Sequence, residues 1–447
     1  MSKLFLSFGL LTGCLSAAIF GQDLTTRPGA ERIRPRMDEE YPSLEKLYQH
    51  FHAHPELSFQ EEKTAERLAA ELKTLGIDLT PKIGGHGVVG VFRNGNGPTI
   101  LLRTDLDALP VKEQTGLAYA SNARTKDDKG NDVDVMHACG HDVHMTALVG
   151  AARLLVHLKD RWHGTLVFIG QPAEERGKGA EKMLADGLFS RFPKPDYCLA
   201  LHVNAEMRAG TVGMTEGFSM ANVDSVDVTI RGAGGHGAWP HKTKDPVVIA
   251  AHTILAWQTI VSRERDPIEP AVVTVGSIHG GTKHNIIPDE VHLQLTVRSF
   301  TDEMRAQILE TINRIARGQA LAAGLPEDRM PIMKVSDEFT PASYNNPELT
   351  RRLMGVFKRT FGEEKVFSRK PTMGGEDFGR YGRTEDKIPI CLFWLGSVEA
   401  ERVAESERTG KPLPSLHSSL YRPVPEPTIK TGVLALTAAV LELAEKK

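Results

Sequence analysis

The chain has 447 residues, 54 Lys and Arg against 57 Asp and Glu, a net charge of −3 and 40% hydrophobic residues. That length exceeds one ordinary domain and predicts two. The charge balance leaves no basic footprint for nucleic acid, and no long apolar span follows the N-terminus, so no membrane-crossing helix is expected in the mature chain.

At the N-terminus, Lys3 precedes an apolar run from Leu4 to Phe20, and the sequence turns polar at Gln22-Asp23. This is the layout of a secretory signal peptide, expected over residues 1–21, and it implies export to the periplasm or medium. Leu11-Thr12-Gly13-Cys14 also fits a bacterial lipobox, which would leave a lipid on Cys14; the apolar residues after Cys14 favour cleavage near Gly21. Without Cys14, the thiols Cys139, Cys198 and Cys391 remain, too few for a disulfide framework. Cys198 and Cys391 sit in apolar, strand-like runs and read as core residues.

Residues 22–37 read as a flexible lead-in. Helical periodicity begins near Ser43 with Leu44, Leu47, Tyr48 and Phe51, and Pro55 ends it, leaving His52 and His54 as polar loop groups. A second amphipathic helix spans 61–75 and stops at Gly76. Strands follow at 87–93 and 99–103, the latter a continuous apolar run of the kind covered on both faces. It empties into Thr104-Asp105-Leu106-Asp107-Ala108-Leu109-Pro110. Asp105 is thus either a turn cap or a functional carboxylate at the carboxyl end of a strand, where open α/β sheets collect their chemistry.

The stretch from Val135 to His144 holds Cys139, His137, His141, His144 and Asp142 within ten residues. Cys139 and His141 flank Gly140, so both side chains can converge on one ion. An apolar helix over 145–158 follows, which puts the cluster at a helix N-terminus, where a thiolate is favoured. A strand at 165–170 then ends in Glu174-Glu175, and one at 197–201 ends in His202. Three separate strand ends therefore deliver polar groups around the Cys139–His141 loop.

Residues 221–335 change pattern. Alternating strands near 223–230, 271–278, 291–299 and 332–335, with helices at 245–263 and 301–323, give the β-α-β-β-α-β order of a ferredoxin-like domain, inserted into a first domain made of 38–220 plus 336–447. After it come a helix at 347–361, a strand at 388–395, a charged loop at 399–414 leading to His417, and a closing helix at 428–445.

Two neighbouring ions need roughly three protein ligands each, with one ligand or a water shared. Cys139, His141, Glu175, His202 and His417 are the candidates, a mixture that suits zinc and also manganese, cobalt or nickel. A water between two such cations is readily deprotonated and attacks a polarised carbonyl. A carboxylate outside the ligand set must carry its proton to the leaving nitrogen, and Glu174 is placed for that. The remaining histidines lack partner spacing; His144 reads as part of the helix start.

The motifs His54-Pro55-Glu56-Leu57-Ser58, Arg103 to Pro110, His137 to His144, Gln171 to Glu175, Gly235-His236-Gly237-Ala238-Trp239-Pro240-His241, Asn285 to Asp289, Met373-Gly374-Gly375-Glu376-Asp377-Phe378 and His417-Ser418-Ser419 occur in order. With them the chain resembles the M20 metallopeptidase superfamily, in the branch of N-acyl amino acid amidohydrolases that includes hippurate and indole-acetyl amino acid hydrolases. The resemblance implies an α/β fold: a mixed-sheet, two-metal, aminopeptidase-like catalytic domain with an inserted ferredoxin-like lid and dimerisation domain. It implies hydrolysis of N-acyl amino acids in a homodimer, Glu174 as general base and Cys139 as the ligand shared by two divalent ions. Where the peptidase branch carries a metal-binding His, this chain has Arg103, so His141 supplies that imidazole and Asp105 takes an orienting role. His236 resembles a histidine that stabilises the oxyanion in the partner's site, and Asn285 a lid amide beside it. Arg298, at the end of a lid strand, reads either as a surface arginine or as the clamp on a substrate carboxylate. A dipeptidase of the same superfamily and a non-catalytic metal-binding protein are the alternatives; the retained Glu174 speaks against the latter.

Overall fold

The computed structural model describes residues 33–445; the expected leader at 1–21 and Cys14 lie outside the described residues. No helix among the described residues is long and apolar enough to cross a membrane. The larger of the two main sheets has eight strands. Its four central neighbours, Gly164–Gln171, Thr99–Asp105, Tyr197–Arg208 and Ile390–Val398, run parallel. Buried on both faces, they read as unbroken apolar runs. Strands Gly87–Asn94 and Asp78–Ile83 extend one edge, and Val212–Met214 and Val366–Ser368 the other. The edge strand Asp78–Ile83 escapes the sequence reading because it is mostly exposed, contains Pro81 and carries no apolar run.

One face of this sheet is covered by helix His141–His157, which packs between helices Ile33–Ala53 and Pro425–Leu443. His141–His157 is apolar nearly all round because it is enclosed nearly all round. Each Leu buried there contributes about 1.5–3 kcal/mol. Cys391 faces this core, whereas Cys198 faces the core on the opposite side of the sheet; both are free and buried.

The second sheet has four antiparallel strands in the order Val272–Gly280, Glu290–Arg298, Asp224–Arg231, Ile332–Val335. Helices Pro246–Arg263 and Asp302–Ala322 close one of its faces around a core of their own. In chain order the strands sit 2-3-1-4, the ferredoxin-like arrangement. Asp245 and Thr301 cap the two helices by accepting from Val247 N and Met304 N.

Three readings of the sequence need correction. The first helix begins at Ile33 rather than near Ser43, accommodates Pro42 in its interior and runs through His52 to Ala53; His52 is a buried helical residue, not a loop group. The charged stretch after Glu399 contains a helix, Ala400–Thr409, with no buried residue, so it carries no amphipathic signal. Strand Tyr197–Arg208 continues beyond His202, which therefore lies within a strand and not at its end.

Candidate metal centre

Strand Thr99–Asp105 pairs in register with Gly164–Gln171, so Asp105 lies opposite Gln171 and both chains leave the sheet together. Ala173 then takes a left-handed backbone (φ 48°) and turns Glu174 and Glu175 inward. The loop carrying Cys139 ends at Gly140, whose φ of 79° and close approach to Val203 leave no room for a Cβ: the nearest atom would lie 2.5 Å away. His417 is also left-handed (φ 66°), with its amide donating to Ala138 O at 2.9 Å. Such backbone costs on the order of 1–3 kcal/mol per residue and gathers at functional sites.

Hydrogen bonds fix the imidazoles. His141 Nδ1 donates to Asp107 O at 2.7 Å, and His202 Nδ1 donates to Val203 O at 2.7 Å. Each ring therefore turns its Nε2 toward the cluster, the arrangement a metal-ligating histidine needs. His202 Nε2 lies 3.5 Å from Cys139 Sγ. His141 Nε2 lies 3.9 Å from both Glu174 Oε2 and Glu175 Oε1, and His417 Nε2 lies 3.5 Å from Glu175 Oε2. His144 is different, because its Nδ1 donates to Asp105 Oδ1 at 2.7 Å and its Nε2 accepts from Val203 N at 3.0 Å. Both of its nitrogens are used, which removes it as a ligand and makes it a strut between Asp105 and the His202 strand. The sequence reading gave His144 only its place in the helix.

The ligand atoms of Cys139, His141 and His202 lie within 4.8 Å of one another, and so do those of Cys139, Glu175 and His417. The five expected ligands thus divide into two trios that share one sulfur. His141 Nε2 and Glu175 Oε1 are buried without a hydrogen-bond partner, a costly state unless a cation receives them. Thiolate, imidazole and carboxylate donors in this number fit two divalent ions.

The surroundings are strongly acidic. Burial, then Glu376 and Glu175, push Glu174 well above the usual carboxylate range. Burial and the neighbouring Asp107 raise Glu175 to about 7, against the pull of His141. Burial would depress His141, but Asp105 and Asp107 lift it to about 10. Burial, then the carboxylates of Glu175, Glu174 and Asp105, hold the Cys139 thiol far up. Bound cations reverse this logic, favouring thiolate and carboxylate and displacing protons from the imidazoles.

Arg103 is completely buried. Its guanidinium donates to Asp105 Oδ2 at 2.5 Å, Glu376 Oε1 at 2.9 Å and Gln171 Oε1 at 3.1 Å, and Asp377 Oδ1 lies 3.4 Å away. The sequence quoted Glu376 and Asp377 in a motif and gave them no role. No helical or alternating pattern marks them, and only the fold carries them across to Arg103. Asp107, likewise unassigned, accepts from Ser58 Oγ at 2.6 Å and Glu175 N at 3.0 Å.

The site residues expected from the inserted domain make no hydrogen bond to this cluster among the described residues. His236 and Asn285 are exposed neighbours beside the small ribbon that pairs Gly235–His236 with Ile286–Ile287. His236 Nδ1 accepts from Ala238 N, and its ring lies 4.8 Å from that of Trp239. Among the described residues, neither His236 nor Asn285 bonds to the Cys139 cluster. Arg298 is half-buried, donates to Met373 O at 2.8 Å and has no acidic partner among the described residues.

Comparison with known proteins decides the family. Residues 101–410 match the peptidase family M20/M25/M40, and thermostable carboxypeptidase 1 of Saccharolobus solfataricus is 34% identical over 88% of this chain and 94% of its own. The chain belongs to the M20/M25/M40 peptidase family. Within it, the hippurate hydrolase of Campylobacter jejuni is 39% identical over 75% of this chain and 84% of its own. A Bacillus subtilis structure described as a dinuclear metal-binding peptidase of family M20 has a TM-score of 0.71 at 28% identity, covering 91% of this chain and 99% of that one. The protein is a metal-dependent M20 enzyme that hydrolyses amides, as the sequence motifs led one to expect.

Proposed function

We propose that this M20 enzyme hydrolyses the amide of N-acyl amino acids, of which hippurate is the type substrate, with Glu174 as general base. The observation that carries the reading is a pair of ligand trios sharing Cys139 with one further buried carboxylate, Glu174, beside them. His141 and His202 would hold one divalent ion and Glu175 and His417 the other, both through the Cys139 thiolate. Divalent ions held there supply Lewis acidity, which polarises an acyl carbonyl and makes water a usable nucleophile near neutral pH. Glu174 takes the proton of the attacking water and delivers it to the departing nitrogen, so a C–O bond forms as C–N breaks and a carboxylic acid and an amine leave. Its burial beside Glu376 fits a group that must hold a proton between those steps. Asp105 acts at one remove, through His144, on the position of His202. Zinc is the ion that best suits a thiolate with two imidazoles, with manganese, cobalt and nickel as alternatives.

Arg298 is our candidate for the clamp on the substrate carboxylate, a role supported by a partly desolvated guanidinium with no acidic partner among the described residues. His236 and Asn285, exposed and without a bond to the cluster among the described residues, would act from a partner subunit on the developing oxyanion. A homodimer is further supported by exposed apolar side chains on helix Pro246–Arg263 (Val247, Val248, Leu255, Val261) and by Ile278 on the edge strand Val272–Gly280. The N-terminal sequence supports export, and intact mass measurement of the mature protein distinguishes cleavage near Gly21 from lipid on Cys14.

The peptidase alternative keeps a specific support in the carboxypeptidase relative; Arg103 at the peptidase ligand position speaks against it. The test compares Glu174→Gln with the native enzyme on N-benzoyl and N-acetyl amino acids and on dipeptides with a free amine. The variant should retain its metal and lose about 10²–10⁴-fold in kcat, and the native enzyme should prefer the acylated substrates. Native-like turnover by Glu174→Gln removes the base assignment, and a preference for free dipeptides removes the substrate class.

A further inference from the structure

A second buried charged cluster lies behind the metal centre and takes no part in the chemistry above. His52, near the end of the first helix, sits between two carboxylates: Nδ1 is 2.7 Å from Asp142 Oδ2 and Nε2 is 3.0 Å from Glu113 Oε1. The three side chains are at most 1% exposed. Both ring nitrogens face acceptors, so both carry protons and the ring is an imidazolium; a neutral ring would turn a lone pair on one carboxylate. Tyr48 and Tyr119 enclose it at 5.6 and 5.3 Å between ring centroids and keep water out.

The two carboxylates belong to segments that carry different metal ligands. Asp142 follows His141 directly and its Oδ1 accepts from Val143 N at 2.8 Å, so it belongs to the start of the ligand helix. Glu113 organises the loop after Pro110 by accepting from Ser121 N at 2.6 Å and from Thr115 Oγ1. The next residue in that loop, Gln114, donates its amide to Ser419 O at 2.8 Å, two residues from His417. A continuous bonded path therefore runs from the Cys139–His141 segment through Asp142, His52, Glu113 and Gln114 to the His417 loop. That loop needs such support: its histidine is left-handed, its side chain is 54% exposed, and among the described residues its backbone has one direct bond to the ligand loop, at Ala138.

We infer that His52 is a positioning residue whose imidazolium, clamped between Asp142 and Glu113, holds the His417 loop in register with the Cys139–His141 loop and so sets the retention of the ion bound by Glu175 and His417. The inference rests on the two-ion reading of the site and adds to it a residue more remote than the ligands. Groups that orient metal ligands typically contribute 10–100-fold to affinity.

The test uses the full chain loaded with zinc, with metal content and chelator-driven release as readouts. In His52→Gln and in Glu113→Gln, one zinc per chain should leave about 10–100-fold faster than in the native protein while the other leaves at the native rate. Far-UV circular dichroism and elution volume should stay native. Glu113→Gln keeps the His52–Asp142 pair and so answers the question if His52→Gln does not fold. A His417→Ala reference should hold a single zinc. If both variants release both ions at native rates, or lose both ions equally fast, the positioning role is overturned. If instead the native chain takes up no zinc, or His417→Ala still holds two, the two-ion reading fails and this inference falls with it.

Discussion

Arg103→Met probes the charge balance behind the metal centre. The guanidinium is fully buried and, among the described residues, is the one permanent cation beside Asp105, Glu376 and Asp377. Methionine keeps most of the apolar stem and removes the charge, leaving buried Glu376 and Asp377 without their cation and Asp105 with its histidine neighbours alone. Breaking a buried ion pair by removing one partner costs about 3–5 kcal/mol, and this site loses several contacts at once. The loss should depend on pH in a defined direction. Even with Arg103 present, burial raises Glu376 to about 7 and Asp377 to about 6; without it they move higher still. Carboxyl groups held above their unfolded values bind protons more tightly when folded, so the penalty is small at acidic pH and grows as pH rises through those values. Urea unfolding of native and variant protein at pH 5 and pH 8, with metal content matched, measures it. A deficit of a few kcal/mol at pH 8 that shrinks at pH 5 supports the argument, and adding Glu376→Gln should recover part of it. A small, pH-independent deficit would show that Arg103 does not carry this charge balance.

The His52 cluster has its own signature. Its partners Asp142 and Glu113 outweigh burial and raise the ring from 6.5 to about 9, so its contribution, up to about 3 kcal/mol, is complete below pH 6.5 and is lost as pH rises through 9. Stability curves should therefore show an alkaline decline over that window in the native chain and a flatter one in His52→Gln. Gly140→Ala places a Cβ 2.5 Å from Val203 in a left-handed backbone, which costs at least about 1–2 kcal/mol and shifts Cys139 against His141; zinc stoichiometry should fall before the fold is lost. Leu255→Glu, on the exposed face of helix Pro246–Arg263, should turn the proposed dimer into a monomer in sedimentation and lower activity with it. A dimeric, fully active Leu255→Glu protein would detach that face from assembly.

Local chemistry made a large part of this protein legible from its sequence. The central strands and their helices follow from apolar runs and periodicity that solvent exclusion imposes, and the Cys139–Gly140–His141 spacing, with carboxylates just past an apolar strand, announced a metal site because those groups have few other reasons to meet. What stayed hidden lacked a local signature. The exposed helix Ala400–Thr409 buries nothing, and edge strand Asp78–Ile83 needs no apolar face. Arg103 meets Glu376 and Asp377 across 273 and 274 positions, and His52 meets Asp142 across 90. A lone histidine or arginine in a sequence reads as solvated. Only tertiary packing removes its water, and a desolvated charge must then find its counter-charge from whichever distant segment the fold brings alongside.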